Sequence, residues 1–234
     1  MFFVGIDLAW SDTNKTGMVI LSDEKVIFSG LVQSDDDICS CIAEVVGSHS
    51  CVVAIDAPLV VPNTSGQRPA ETLLNKDFRK YNAGAHPANR TWLLRSCSRI
   101  RGEDLVIALK SRGIVHDPFL RSSRSCFECY PHSASIVLFG LKQILGYKAR
   151  PSRSYEDRWN AFVEYQRQLS RFVSAPFLSV DVTSLRASKL KEYEDVLDAC
   201  MCAIIARFLY QNPSERMLYG SFDDGYILTP ALRI

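Results

Sequence analysis

Five carboxylates stand where they could do chemistry: Asp7, Asp56, Glu128, Asp195 and Asp198. Asp7 closes the apolar run Phe2–Ile6. Asp56 closes a second run, Val52–Ile55, and Pro58 denies that strand a further ladder donor. Runs with β-branched and aromatic members read as buried strands. A carboxylate at the end of such a strand costs free energy unless it is hydrogen-bonded, paired, protonated or bound to a cation. Two strands of this kind would place two carboxylates at one edge of a sheet, although an Asp after a strand also caps helices and opens turns. Asp195 and Asp198 are spaced as neighbours on a helix. Ala199, Cys202 and Ala206 continue that face with small side chains, so the helix can pack closely on a sheet and aim both acids at the end holding Asp7 and Asp56. Answering the helix dipole is the simpler role for them. Glu128 lies in a short strand, Ser125–Tyr130, ended by Pro131.

The elements that must position these acids follow from periodicity. Phe2–Ile6, Met18–Leu21 and Lys25–Gln33 read as three strands of an antiparallel meander. Ser34 starts a helix with an acidic first turn, Asp35 to Asp37; Ile38, Cys41, Ile42, Val45 and Val46 recur at helical spacing, and Gly47 ends it. Cys51–Ile55 is the fourth strand, and strand–strand–strand–helix–strand opens an α/β fold. Helices are expected over Ala70–Tyr81, Glu103–Gly113, Ser133–Leu141, Tyr155–Val173 and within Ser184–Tyr210, with a late strand at Gly225–Thr229. The 234 residues fit a single domain, 1–234, with a basic insertion at about 59–101.

Composition narrows the class. Hydrophobic residues make up 47% of the chain, ample for a core, and no apolar run reaches the length of a membrane span. The N-terminus lacks a basic region and its apolar stretch is cut by Asp7, so a secretory signal is not expected. The eight cysteines then read as reduced thiols of a cytoplasmic protein. Cys126 and Cys129 form a C-x-x-C without the second pair that a zinc ribbon needs. The net charge of +1 conceals an asymmetry: residues 1–62 carry 2 basic and 9 acidic side chains, residues 63–124 carry 12 basic and 5 acidic. An acidic site beside a basic segment suits a protein that binds or cuts a polyanion. The insertion groups its cations as Arg68, then Lys76, Arg79 and Lys80, then Arg90, Arg95, Arg99 and Arg101, with Tyr81 and Trp92 among them. A long irregular stretch of this composition reads as facing the substrate. His86 and His132 could shuttle protons or serve structurally.

Seven segments occur in an order that resembles the predicted-nuclease family of ribonuclease H-like fold, domain of unknown function 429. They are GIDLAW at 5–10, AIDAPL at 54–59, RPAETLLNKDFR at 68–79, ECYPH at 128–132, YK at 147–148, DVLDACMCA at 195–203 and GYILTP at 225–230. The resemblance implies a central mixed sheet, an antiparallel three-strand meander plus parallel strands, flanked by helices. It also implies an acid soon after Arg68-Pro69, and Asp77 stands late for that place. Carried over by position, the metal ligands are Asp7, Asp56 and Asp198 with Asp195, and the catalytic set is Asp7, Asp56, Asp198 and Glu128. Two divalent cations about 3.5–4 Å apart would need several carboxylates. Hard oxygen ligands favour Mg²⁺ or Mn²⁺. Arg68, Arg79, Lys80, Arg90 and Lys148 are the expected substrate contacts. The expected activity is metal-dependent hydrolysis of phosphodiester bonds in nucleic acid, DNA or RNA. The alternatives are a phosphotransferase related to actin-like ATPases and an inactive nucleic-acid-binding module.

Overall fold

The computed structural model describes residues 1–232. Its strands are β1 (Phe2–Asp7), β2 (Thr16–Ser22), β3 (Lys25–Val32), β4 (Cys51–Ile55), β5 (Val115–His116), β6 (Arg124–Glu128), β7 (Arg216–Ser221) and β8 (Gly225–Pro230). The helices are α1 (Asp35–Val46), α2 (Pro69–Phe78), α3 (Arg90–Ser96), α4 (Arg101–Ser111), α5 (Pro131–Phe139), α6 (Tyr155–Leu169) and α7 (Ala187–Gln211). A 3₁₀ turn, Arg79–Tyr81, finishes the segment expected as one helix to Tyr81.

Six strands form one mixed sheet in the order β3-β2-β1-β4-β6-β5. The meander β1–β2–β3 is antiparallel, while β4 joins β1 in parallel and β6 joins β4 in parallel. This is the α/β architecture the resemblance implied, a mixed sheet flanked by helices and consistent with a ribonuclease H-like fold. Alternation along β1 and β4 splits the interior in two. Phe3, Val52 and Ala54 join α6 and α7 on one face, and Val4, Ile6, Val53 and Ile55 join α1 and α4 on the other.

Helix α7 lies unusually close to the sheet because β1 and β2 present glycine to it. A Cβ on Gly5 would sit 2.0 Å from the Ala199 carbonyl oxygen, and one on Gly17 would sit 2.0 Å from that of Asp195. Only glycine allows backbone to meet backbone in this way. That contact fixes the height of α7 over the ends of β1 and β4. Strand β7 has no counterpart in the expectations; it pairs with β8 in a separate hairpin that packs on α2 through Tyr219, Ile227, Ala70 and Leu74. No helix among the described residues is long and apolar enough to cross a membrane.

Candidate active site

Parallel pairing of β1 with β4 sets Ile6 opposite Ile55, and the Asp56 amide donates to the Ile6 carbonyl at 2.8 Å. Asp7 and Asp56 therefore leave neighbouring strands side by side. Both are half-buried and line a cavity of about 790 Å³. Neither carboxylate accepts a hydrogen bond from any described residue. Burial is the main cause that lifts the Asp7 carboxyl well above the ordinary range; Lys148 opposes it, and Asp198, Asp56 and Asp195 add to the rise. The Asp56 carboxyl is pushed up to about 7, again chiefly by burial, against the pull of Lys148.

Asp198 has a different environment. It is fully buried on α7, accepts hydrogen bonds on Oδ1 from the hydroxyls of Tyr147 (2.8 Å) and Tyr165 (3.1 Å), and meets Lys148 Nζ at 2.7 Å on Oδ2. Lys148 is the partner of Oδ2 among the described residues. Burial works against the Asp198 charge, yet Lys148 and its other neighbours outweigh it and hold the carboxyl below its ordinary range. Burial likewise opposes the charge on Lys148, and Asp198, Asp7 and Glu194 override it. Asp195, one turn earlier, lines the cavity and is paired with Lys191. The loop carrying Lys148 is tied down by two arginines: Arg158 Nε donates to the Tyr147 carbonyl and Arg153 Nη1 to the Lys148 carbonyl, at 2.8 and 2.9 Å.

Glu128 is placed beside the acids at the end of β6, opposite Ile55, but its bonds are already spent. Its oxygens accept from the Leu59 amide at 2.9 Å and from Arg68 at 2.5 and 2.9 Å. Arg68 also forks onto Glu71 at 2.5 and 2.8 Å, with both partners buried. The Glu71–Arg68–Glu128 triad is thus a buried brace that joins the start of α2 to β6. Glu128, expected as catalytic, and Arg68, expected as a substrate contact, both line the cavity and have their side-chain bonds directed within this brace. Glu71, two residues after Pro69, holds Arg68, while the later Asp77 accepts from the Tyr219 hydroxyl at 2.6 Å.

The other predicted cations divide as well. Lys148 lines the cavity; Arg79, Lys80 and Arg90 do not. Arg90 donates to the Val61 carbonyl at 2.9 Å and pairs with Glu103, which holds the insertion in shape. Arg99 pairs with Asp12, Asp35 and Asp104, and the buried Arg101 pairs with Asp35. The basic insertion therefore neutralises part of the acidic N-terminal segment within the chain itself. Residues that the sequence reasoning passed over are Tyr165, Glu194, Lys191, Arg150 and Arg153. The Tyr165 hydroxyl, beside Phe162 and Leu169 on the buried side of α6, was a sequence signal that could have pointed to a buried polar partner. His86 and His132 both line the cavity, and burial, with Lys148 beside it, pushes the His132 ring down to about 4.

Whether this donor set suits a metal can be judged from the carboxylates. Among the described residues no group of three or more His, Cys, Asp or Glu side chains could hold a metal ion. Of the four expected ligands, Asp198 is held by Lys148 and two tyrosines and Asp195 by Lys191. Asp7 and Asp56 are open, adjacent and short of compensating charge. Mg²⁺ commonly takes one or two carboxylates and fills its shell with water and substrate phosphate. The open pair fits a cation of that kind.

No curated protein and no solved structure matches the chain. One family model does, over residues 5–220, and that span reaches from the first strand through α7 to β7. The chain belongs to the family described as "Protein of unknown function (DUF429)".

Proposed function

We propose that the protein is a divalent-metal-dependent hydrolase of phosphodiester bonds in nucleic acid, with Asp7 and Asp56 as its metal-binding pair. The observation that carries this reading is two adjacent strand-end carboxylates, unbonded to protein, on the wall of a cavity that also presents Lys148. Mg²⁺ or Mn²⁺ bound there would supply Lewis-acid stabilisation of the phosphoryl group and activation of water. The chain's own residues supply the rest. Lys148 is kept charged by Asp198 and is positioned to meet a phosphate oxygen. Asp198 holds that ammonium in place from behind, with Tyr147 and Tyr165 fixing its orientation. The buried brace of Arg68 and Glu128 keeps the ends of β4 and β6 in register. Eight free cysteines suit a reducing, cytoplasmic setting. A second reading, a nucleic-acid-binding module without activity, draws on the Lys148–Asp198 pair, since a lysine already supplies one cation to the cluster.

Calorimetric titration with Mn²⁺ separates the two. Asp7→Asn and Asp56→Asn should each abolish binding, and neither should lower the melting temperature of the metal-free protein, because each removes an uncompensated charge. Cleavage of single-stranded, duplex and branched DNA and of RNA should require Mg²⁺ or Mn²⁺ and vanish in both variants. Wild-type protein that binds Mn²⁺ no better than the variants, and cuts nothing, would leave the binding-module reading.

A further inference from the structure

Two features of the cavity lie outside the carboxylate cluster. The first is a pair of tryptophans at its wall. Trp10 and Trp92 are 42% and 38% exposed, and their rings meet edge to face at 4.3 Å between centroids. Each indole still offers a sizeable apolar surface to the cavity, and their backbones are firmly held. Buried Arg101 donates to the carbonyls of Ala9 and Ser11 on either side of Trp10, at 2.9 and 3.3 Å. Asn89 caps α3 by accepting from the Trp92 amide at 2.9 Å, and Thr91 donates to the Thr64 carbonyl at 2.6 Å. The chain thus spends charged and polar contacts on presenting two aromatic faces to the cavity.

The second feature is a pair of arginines. Arg150 and Arg153 line the same cavity, and neither forms an ion pair with a described residue. Arg153 is half-buried and anchored by its bond to the Lys148 carbonyl, so its guanidinium is fixed in place. One fixed guanidinium, Arg153, with the exposed Arg150 as its charged neighbour forms a subsite for a phosphate, which Arg meets through planar paired donors. An aromatic platform beside a cationic groove is the pattern by which single-stranded nucleic acid is held without sequence preference.

Resting on the hydrolase reading above, we propose that this cavity takes one nucleotide unit of a single strand or a free nucleotide, with the base against Trp10 and Trp92 and a phosphate on Arg150 and Arg153. The volume supports this occupant: about 790 Å³ accommodates a nucleotide, whereas a duplex about 20 Å across cannot pass its bases into a pocket of that size without unpairing them. The site therefore selects unpaired ends.

The test measures binding in EDTA, so that it does not depend on metal or on cleavage. Fluorescein-labelled pentathymidine is titrated with protein by fluorescence anisotropy, and thymidine monophosphate, thymidine and a blunt duplex serve as competitors. Single strand should bind at least about tenfold more tightly than the blunt duplex, on the scale of one lost stacking contact. Trp92→Ala and the double change Arg150→Ala/Arg153→Ala should each weaken binding about tenfold or more. Trp92→Phe should keep most of the affinity, and Arg150→Ala alone, which leaves the Arg153 tie to the Lys148 loop intact, should weaken binding with an unchanged melting temperature. Competition by the monophosphate but not by the nucleoside identifies free nucleotide as sufficient; competition by the oligomer alone assigns the site to strand ends. No binding of any probe, equal binding of duplex, or unchanged affinity in both Ala variants would overturn the inference. Binding as expected without cleavage in Mg²⁺ would keep it and remove the hydrolase reading instead.

Discussion

Asp56 and Asp198 illustrate how one residue type takes opposite states in one site. Asp198 has two hydroxyl donors and an ammonium, and its charge is favoured although it is the more buried of the two. Asp56 has no donor, and burial pushes its carboxyl from 3.8 up to about 7. The sign for stability follows. The folded state holds the Asp56 proton more tightly than the unfolded chain, so this contribution is complete below pH 3.8 and is lost as pH rises through about 7. Melting curves of metal-free protein should show wild type losing stability relative to Asp56→Asn between pH 4 and 8, the range set by those values. Affinity for Mn²⁺ should rise across the same range, because the cation competes with the proton. A pH-independent difference between the two proteins would mean that Asp56 is ionised throughout.

At the level of elements, α7 carries the site only because β1 and β2 let it come close. Gly5 and Gly17 admit its backbone, and the small residues Ala199, Cys202, Ala203 and Ala206 face the sheet core. Its two aspartates then differ in their surroundings. Asp198 is fully buried, and removing it leaves the Tyr147 and Tyr165 hydroxyls without their acceptor, while Lys148, 34% exposed, keeps Glu194 at 3.8 Å. Asp198→Ala should therefore cost about 1–3 kcal/mol in stability, the range for leaving buried polar groups unsatisfied. Asp195 pairs with Lys191, whose side chain is 58% exposed, and Asp195→Ala should cost about 0–1 kcal/mol. Chemical denaturation of both variants checks this. The same ranking is expected for metal-dependent cleavage, with Asp198→Ala losing about a thousandfold, the scale of lost transition-state stabilisation. An inactive Asp195→Ala beside an active Asp198→Ala would reverse the roles assigned to the two turns of the helix.

Across the whole molecule, the opposite charges of the first two segments serve each other as well as any ligand. Arg99 and Arg101 reach back from the insertion to Asp12 and Asp35, so the basic segment clamps the loop that follows β1. Arg79 and Lys80 remain exposed outside the cavity. Their contribution should then depend on ligand length. For a strand making about four phosphate contacts, log K should fall with log salt at a slope near −3. Arg79→Ala/Lys80→Ala should flatten that slope for a 15-nucleotide strand and leave a trinucleotide unaffected, as measured by salt titration of anisotropy. An equal effect on both lengths would place these cations at the cavity after all.

Much of this was legible in the sequence because it is local. Apolar runs ended by Asp7 and Asp56, a capped helix after Ser34 and the small-residue face of α7 are patterns of period two or 3.6 within one element. They sufficed for the antiparallel meander, the α/β opening and two carboxylates at one sheet edge; the mixed sheet was implied by the family resemblance. Strand β7 was not legible, because Met217, Leu218 and Tyr219 alternate only weakly between exposure and burial and Gly220 turns at positive φ. Nor could spacing reveal which cation neutralises which acid. Arg68 takes Glu128 across 60 positions, and Tyr165 and Lys148 reach Asp198 from different segments. Ion pairs and hydrogen bonds are chosen through space, by which side chains the packed elements bring within about 3 Å. Only the tertiary structure could therefore separate acids whose charge is already matched, Glu128 and Asp198, from the two left open for a ligand.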